Sequence, residues 1–410
     1  MSAGRFIASR MSSDDGSLSR TSNTIAWVSV CLSIAVMIIA VAVVDGFKSR
    51  IREKVTGFMG SVMLVMPGQS PMNEHYPFSD SLSYRSMLDE LDGVESVSGV
   101  AYRSGLIKTD EQIDGLCFKG VDSLYDFSFF SSSLVEGSLP DYTGRISNDI
   151  LISSTTAQKL GFSVGDQAVV YFIGDDVKVR KLTVCGLYDA QLEEIDSRMA
   201  VADIRQVRRL NGWSGNEVST VEIRIAPDTD IDRMADAVQE IEFLYADAED
   251  EPLFVTSAKK LYGHLFDWLA LLDLNVLMIL ALMVVVAGFN MISAILIILF
   301  EKISAIGLLK SLGMTSKEVS HVFLLRAWKI VWKGLLWGNA VGLGLCLIQK
   351  YTGIIRLDPA SYFVNCVPIA LSPLKIIILN VAAAGLIMAI VSISSRFISK
   401  VSPDRTMRVE

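Results

Sequence analysis

Residues 301–313 read EKISAIGLLKSLG and lie between two long apolar runs, carrying the charges those runs lack. Ile303, Ile306, Leu308, Leu309 and Leu312 recur at three- to four-residue spacing, one apolar stripe on a helix, while Lys302, Lys310 and Ser311 fall off it. Gly313 supplies a stop, because glycine enters the left-handed region without a Cβ clash. Thr315-Ser316-Lys317-Glu318 then has the form of an N-cap with a glutamate three residues on, opening the next helix. Two readings fit the pattern equally. One is a cytosolic helix on which a separate motor protein pulls; the other is an ordinary helical hairpin loop between two spans.

The chain has 410 residues, 51% of them hydrophobic. A bilayer core takes about 20 apolar helical residues to cross. Four runs qualify, 24–44, 276–300, 330–348 and 374–393, and none holds an Asp, Glu or Arg. Lys333 and Lys375 sit near run ends, where a long side chain reaches the interface. Charge divides with the runs: residues 46–265 hold 35 acidic and 21 basic side chains, the rest 10 acidic and 16 basic. Basic flanks favour the cytoplasm. Arg5, Arg10 and Arg20 precede the first run, Lys302, Lys310, Lys317, Arg326 and Lys329 separate the second and third, and Arg396, Lys400, Arg405 and Arg408 follow the fourth. The expected order is a cytoplasmic segment 1–23, a first span 24–45 and an outer domain 46–265. A second span with its stalk, 266–300, a cytoplasmic stretch 301–326 and a third span 327–349 follow. A short outer loop 350–373, a fourth span 374–394 and a cytoplasmic tail 395–410 complete it.

The outer stretch has the texture of a folded domain. A strand at 61–66, a helix at 83–91 and a strand at 94–100 form a βαβ-like unit. Near the other end, 218–225 alternates as a strand and 230–243 reads as a helix capped by Asp230. The middle, about 106–202, is strand-rich, with short strands at 119–122, 150–153, 165–173 and 177–187. The expected fold is therefore an α+β membrane protein: four transmembrane helices, with a large α/β domain made of a βαβ-type part and a β-rich insertion between the first two. Residues 256–272 are amphipathic, and a single helix from Thr256 to Phe300 would run on the order of 65 Å at about 1.5 Å per residue. Trp328, Lys329, Trp332 and Lys333 read as interfacial anchors. Gly338, Gly342 and Gly344 read as a face for close helix packing, and Asn290 as a hydrogen bond to a neighbouring helix. Cys117 and Cys185 lie on the outer side, where a bridge between them could persist.

Known catalytic signatures are absent. No GxxxxGK[ST] loop or HExxH occurs, and His75, His264 and His321 stand at no metal or triad spacing. The spans lack the ionisable groups of ion-driven pathways. The expectation is a non-enzyme without metal or cofactor, with ATP bound by a partner.

The layout resembles the MacB-like ABC permeases, and within them the lipoprotein-releasing LolC/LolE branch. The resemblance is carried by Phe6-Ile7-Ala8-Ser9-Arg10, Asp45-Gly46-Phe47, Gly288-Phe289-Asn290-Met291-Ile292-Ser293 and the 301–313 stretch. Leu357-Asp358-Pro359 with Tyr362-Phe363-Val364 and Pro368 in the short outer loop, and Val401-Ser402-Pro403, complete the set. It implies a bacterial inner-membrane protein with both termini in the cytoplasm, pairing with a second permease chain on a LolD-like ABC ATPase dimer. A lipoprotein would be extracted from the bilayer and passed to a periplasmic carrier; no nucleic acid is involved. The coupling role maps to Glu301, Lys302, Ile306, Lys310 and Gly313, and a lipid entrance to Val44, Phe47, Leu265, Trp268 and Leu272. In the carrier-recruiting subunit a long loop projects from mid-domain; here the 171–184 hairpin turns tightly at Gly174-Asp175-Asp176. Efflux of the MacB type and FtsX-like control of a cell-wall hydrolase are the alternative readings.

Overall fold

The computed structural model describes residues 17–398, except 110–111, 175, 248–249, 302, 304–306, 308–310 and 359–361. It forms two compact units. One is built from the four apolar helices within Met1–Lys48, Leu269–Arg356 and Cys366–Glu410. The other is the outer domain, Ser49–Trp268, with the loop segment Leu357–Asn365.

The long helices are α1 (Ser17–Met59), α2 (Gly263–Glu301), α3 (Ser316–Thr352) and α4 (Pro373–Ile398), each long and apolar enough to cross a membrane. Small residues set the packing of α1 on α3. A Cβ on Gly334 would lie 2.7 Å from Val30, one on Gly338 2.8 Å from the Cys31 carbonyl, and one on Gly342 3.1 Å from Ala35. These three glycines at four-residue intervals form the seam. Gly344, expected on it, meets nothing within 4 Å, because it is two residues out of step. Asn290 Nδ2 donates to Ser29 Oγ at 2.5 Å, as its place in an apolar run requires. Gly288 lies against Ile390, and Asn339 and Asn380 exchange side-chain amide bonds of 2.8 Å between α3 and α4. Gly46 is fixed by the backbone of Pro368, whose carbonyl oxygen would be 2.3 Å from a Cβ there. Asp45 pairs with Lys375. The Asp-Gly pair and the distant proline of the sequence pattern are thus one contact.

Among the described residues the outer domain has twelve strands: β1 Val62–Val65, β2 Phe78–Ser79, β3 Val94–Lys108, β4 Ile113–Val121, β5 Leu134–Gly137, β6 Asp149–Ser153, β7 Gln167–Phe172, β8 Lys178–Tyr188, β9 Met199–Asp203, β10 Glu217–Val218, β11 Thr220–Ile225 and β12 Phe254–Ser257. The sheet order β12-β1-β11-β3, antiparallel throughout, with helices Arg85–Asp89 and Ile231–Tyr245 after β1 and β11, is the split βαβ arrangement of ferredoxin-like folds. The expected βαβ unit is therefore split: β1 and β3 flank β11 rather than each other. Asp230 caps the second helix as predicted, its carboxylate accepting from Asp232 and Arg233. The predicted strand 218–225 is broken at Ser219 into β10 and β11.

The inserted strands close on themselves. β3 pairs β4, β4 pairs β9, β9 pairs β6, β6 pairs β8, β8 pairs β7, and β7 returns to β3. This six-stranded barrel is filled by Ile107, Leu116, Phe118, Val170, Phe172, Leu182 and Ile152. β3, at 15 residues, serves both sheet and barrel. β7 and β8 pair to Phe172 and Lys178, so the hairpin is as tight as expected. Cys117 and Cys185 are free thiols, and burial pushes each up to about 12.

The expected continuous stalk helix fails as well. No helix runs from Thr256. Phe254–Ser257 is the edge strand β12, Ser257 caps a one-turn helix Ala258–Leu261, and Tyr262 (φ −107°, ψ 40°) ends it. The long helix begins at Gly263. Backbone pairing of Val255 and Thr256 with Leu64 and Met63 outweighs the helical stripe.

Candidate functional site

Two regions are candidates: the 301–318 segment and the exposed apolar surface of α1 and α2. In the first, Glu301 ends α2 and is exposed, and Ile303, Gly307 and Ser311 are helical. Lys302, Ile306 and Lys310 lie outside the described residues. Leu312 is 76% exposed, and Gly313, at φ +99°, terminates the segment as its sequence predicts. The predicted capping box is present. The Glu318 amide donates to Thr315 Oγ1 at 3.4 Å, and the Thr315 amide donates to Glu318 Oε2 at 2.8 Å.

In the second region, a cleft of about 480 Å³ opens between α1 and α2. Ile25, Val28, Leu32 and Val36 line it from α1, and Met283 and Val286 from α2; Ser29 and Asn290 also border it. Six of its ten lining residues are apolar; Thr24, Ser29, Ser33 and Asn290 are the polar ones. Asn290 Nδ2 is engaged by Ser29 Oγ, and the cleft presents mostly hydrocarbon to whatever enters it. Ile25 and Leu32 are more than half exposed. Along α2, Leu274, Leu277, Met278, Leu282 and Phe289 are exposed as well.

The five residues expected at a lipid entrance do not line this cleft. Val44, Phe47 and Leu272 are half-buried in the helical unit, while Leu265 (buried) and Trp268 (half-buried) belong to the outer domain. Sequence reasoning missed the cleft because its residues are ordinary span residues. Only Asn290 and Ser29, polar groups at matching depth, signal where two helices meet.

In the outer domain, helix α1 ends on a buried ionic cluster. Lys119 Nζ, fully buried, donates to the Phe58 carbonyl, to Tyr125 Oη at 2.9 Å and to Glu222 Oε2 at 2.8 Å. Tyr102 Oη donates to the other Glu222 oxygen at 2.9 Å. Burial alone pushes the ammonium down, but Glu222 and Tyr125 outweigh it and hold it above the ordinary lysine value. Arg224 donates to the Gly57 carbonyl at 3.0 Å. Two cations therefore satisfy the last carbonyls of α1, where the helix dipole favours positive charge.

Asp196 accepts from the Ala190 and Leu192 amides at 3.2 and 3.1 Å, yet burial dominates and lifts its carboxyl to about 6. The folded chain thus holds a proton that the unfolded chain loses near pH 4. The stability this contributes is full below about pH 4 and is lost as pH rises through about 6. The expected outcome is a melting temperature that falls between pH 4.5 and 6.5 in the native chain more steeply than in Asp196→Asn, read by tryptophan fluorescence.

Against this geometry the comparisons are decisive. The description "MacB-like periplasmic core domain" matches residues 24–241, more than half the chain, and "FtsX-like permease C-terminal" matches 277–403. The chain belongs to the MacB-like permease family. It is similar to the lipoprotein-releasing system transmembrane protein LolC of Neisseria meningitidis serogroup B, 21% identical over 93% of this chain and 92% of that one. The corresponding LolE of Haemophilus influenzae is 19% identical over 88% and 87%. Among solved structures, the periplasmic region of MacB from Actinobacillus actinomycetemcomitans matches with a TM-score of 0.35 and 12% identity, covering 51% of this chain and 95% of that one. This MacB-like permease is thus an ABC transporter permease, a multi-pass inner-membrane protein with a periplasmic-type α/β domain between its first two helices.

Proposed function

We propose that this permease extracts lipoproteins from the inner membrane, driven by ATP hydrolysed on a separate ATPase dimer, and passes them to a periplasmic carrier. The observation that supports this reading most is the largely apolar cleft between α1 and α2, where Asn290 is tied to Ser29. Such a groove suits an acyl chain, whose burial is worth about 0.8 kcal/mol per methylene. The likeness to LolC and LolE over most of the chain supports the same substrate class. Both termini and the 301–313 segment face the cytoplasm, where Glu301, Lys302, Ile306, Lys310 and Gly313 engage the ATPase. Val44, Phe47, Leu265, Trp268 and Leu272 guide the lipid toward release. A second permease chain completes the transporter, and α2 carries the stroke from Glu301 outward to Gly263.

The test is reconstitution with the cognate ATPase and a tri-acylated lipoprotein in liposomes, scoring ATP-dependent transfer to a soluble acceptor. A photoreactive residue at Leu32 or Met283 is expected to label the acyl chains before ATP is added and not after. Release without labelling at either position would remove the cleft from the path. Gly313→Leu forces a side chain into a left-handed position. It is expected to leave ATP hydrolysis standing while transfer falls about tenfold, the mark of lost coupling. Normal transfer by this variant would place the coupling elsewhere.

A further inference from the structure

Among the described residues, only two other than glycine adopt a positive φ: Gln191 at 57° and Phe363 at 59°. Side chains of this size are rare there and cost backbone energy unless the surroundings impose them. These two are far apart in sequence, yet both meet the same cation. Lys54 Nζ donates to Gln191 Oε1 at 2.6 Å and to the Phe363 carbonyl at 2.7 Å. Lys54 itself is half-buried near the outer end of α1.

The flanking bonds show why the arrangement is specific. Gln191 sits in a turn fastened by Asp189 Oδ1, which accepts from the Gln191 amide at 2.9 Å, and by Asp196, which accepts from the residues on either side. Phe363 sits in the short outer loop. The ends of that loop are zipped by the Leu357 amide on the Asn365 carbonyl at 3.0 Å, and Tyr362 donates to the Asp358 carbonyl at 3.0 Å. Val364, next to the strained residue, is buried. A lysine reaching two separate acceptors thus joins three segments that share no strand pairing: the end of α1, the β8–β9 turn and the loop between α3 and α4. The Tyr-Phe-Val signature of that loop, unexplained by the transport reading, lies at this junction.

We propose that Lys54 is a latch that straps Phe363 and Val364 of the α3–α4 loop onto the outer domain and holds Gln191 and Phe363 in conformations that relax when it lets go. Its opening is a step of the working cycle; this second part rests on the transporter reading, the latch itself does not. The two parts have separate tests. In the intact chain in nanodiscs, without ATPase, hydrogen exchange at Gln191, Leu192, Leu357 and Tyr362, whose amides are all bonded, is expected to rise at least tenfold in Lys54→Met and to stay near native in Lys54→Arg, which keeps a cationic donor. Exchange in β11 serves as the reference for global folding and is expected to be unchanged. Equal exchange in native and Lys54→Met chains overturns the latch. For the opening, Lys54→Cys with Phe363→Cys is bridged by a short thiol crosslinker in a chain whose five native cysteines are replaced. Transfer of lipoprotein is expected to stop on bridging and return when the bridge is cleaved. Undiminished transfer by the bridged chain overturns the opening step and leaves both the latch and the transport reading intact.

Discussion

Replacing Lys119 with methionine is expected to lower the melting temperature of the outer domain by about 10 °C. The side chain is fully buried and contacts three acceptors: the Phe58 carbonyl, Tyr125 and Glu222. Methionine fills similar space but leaves the Glu222 carboxylate buried with only the Tyr102 hydroxyl. Breaking one side of a buried ion pair costs about 3–5 kcal/mol, and for a domain of this size each kcal/mol moves the midpoint by roughly 2–4 °C. The sign test is the double change Lys119→Met with Glu222→Met. With both charges gone the desolvation penalty vanishes, and much of the loss is expected to return. If the double variant is as unstable as the single one, the cost lies in the uncapped end of α1 and not in the orphaned carboxylate. Tryptophan fluorescence of the purified chain on heating reads both.

The second large effect belongs to the helical unit. Gly338→Leu is expected to cut the amount of folded protein recovered from membranes by about tenfold, since any Cβ there meets the Cys31 carbonyl and Ile34 at 2.8 Å. Backbone cannot yield as a side-chain tip does, so α1 and α3 must part. Gly344→Leu, one and a half turns further on, is expected to leave recovery unchanged, because nothing lies within 4 Å. Size-exclusion profiles of both variants with a fluorescent fusion settle the comparison. Similar profiles would mean that the seam is not what holds the two helices.

The spans were legible because membrane crossing is a local demand on one run of residues. The same is true of the capping box at Thr315 and of Asp230 as a helix cap: each depends on atoms within one turn. The tight 171–184 hairpin was readable from its turn residues. What local pattern could not carry was pairing at a distance. The stripe of 256–272 is a fair helix by periodicity, yet Val255 and Thr256 were claimed by β1, nearly two hundred residues earlier. The closure of β7 onto β3 likewise joins segments more than sixty residues apart. Glycine spacing suggested a seam but not its phase, so Gly344 was chosen where Gly334 belonged. The buried Lys119–Glu222 pair left no trace at all, because each residue reads as an exposed strand charge until the partner strand is known. In the candidate site, the end of the 301–313 segment at Gly313 and the Asn290 bond could be foreseen, whereas the cleft depends on which face of α1 meets α2.

Strand β3 has a consequence for how this protein could have arisen and how it could be taken apart. Its first half is hydrogen-bonded to β11 and its second half to β4 and β7. Cutting out the inserted barrel would therefore strip the surviving strand of both neighbours along half its length and leave a sticky, exposed margin prone to clumping. The two halves share one backbone beam, so they should melt in a single cooperative event, and neither is a cassette that can be swapped between relatives without its neighbour.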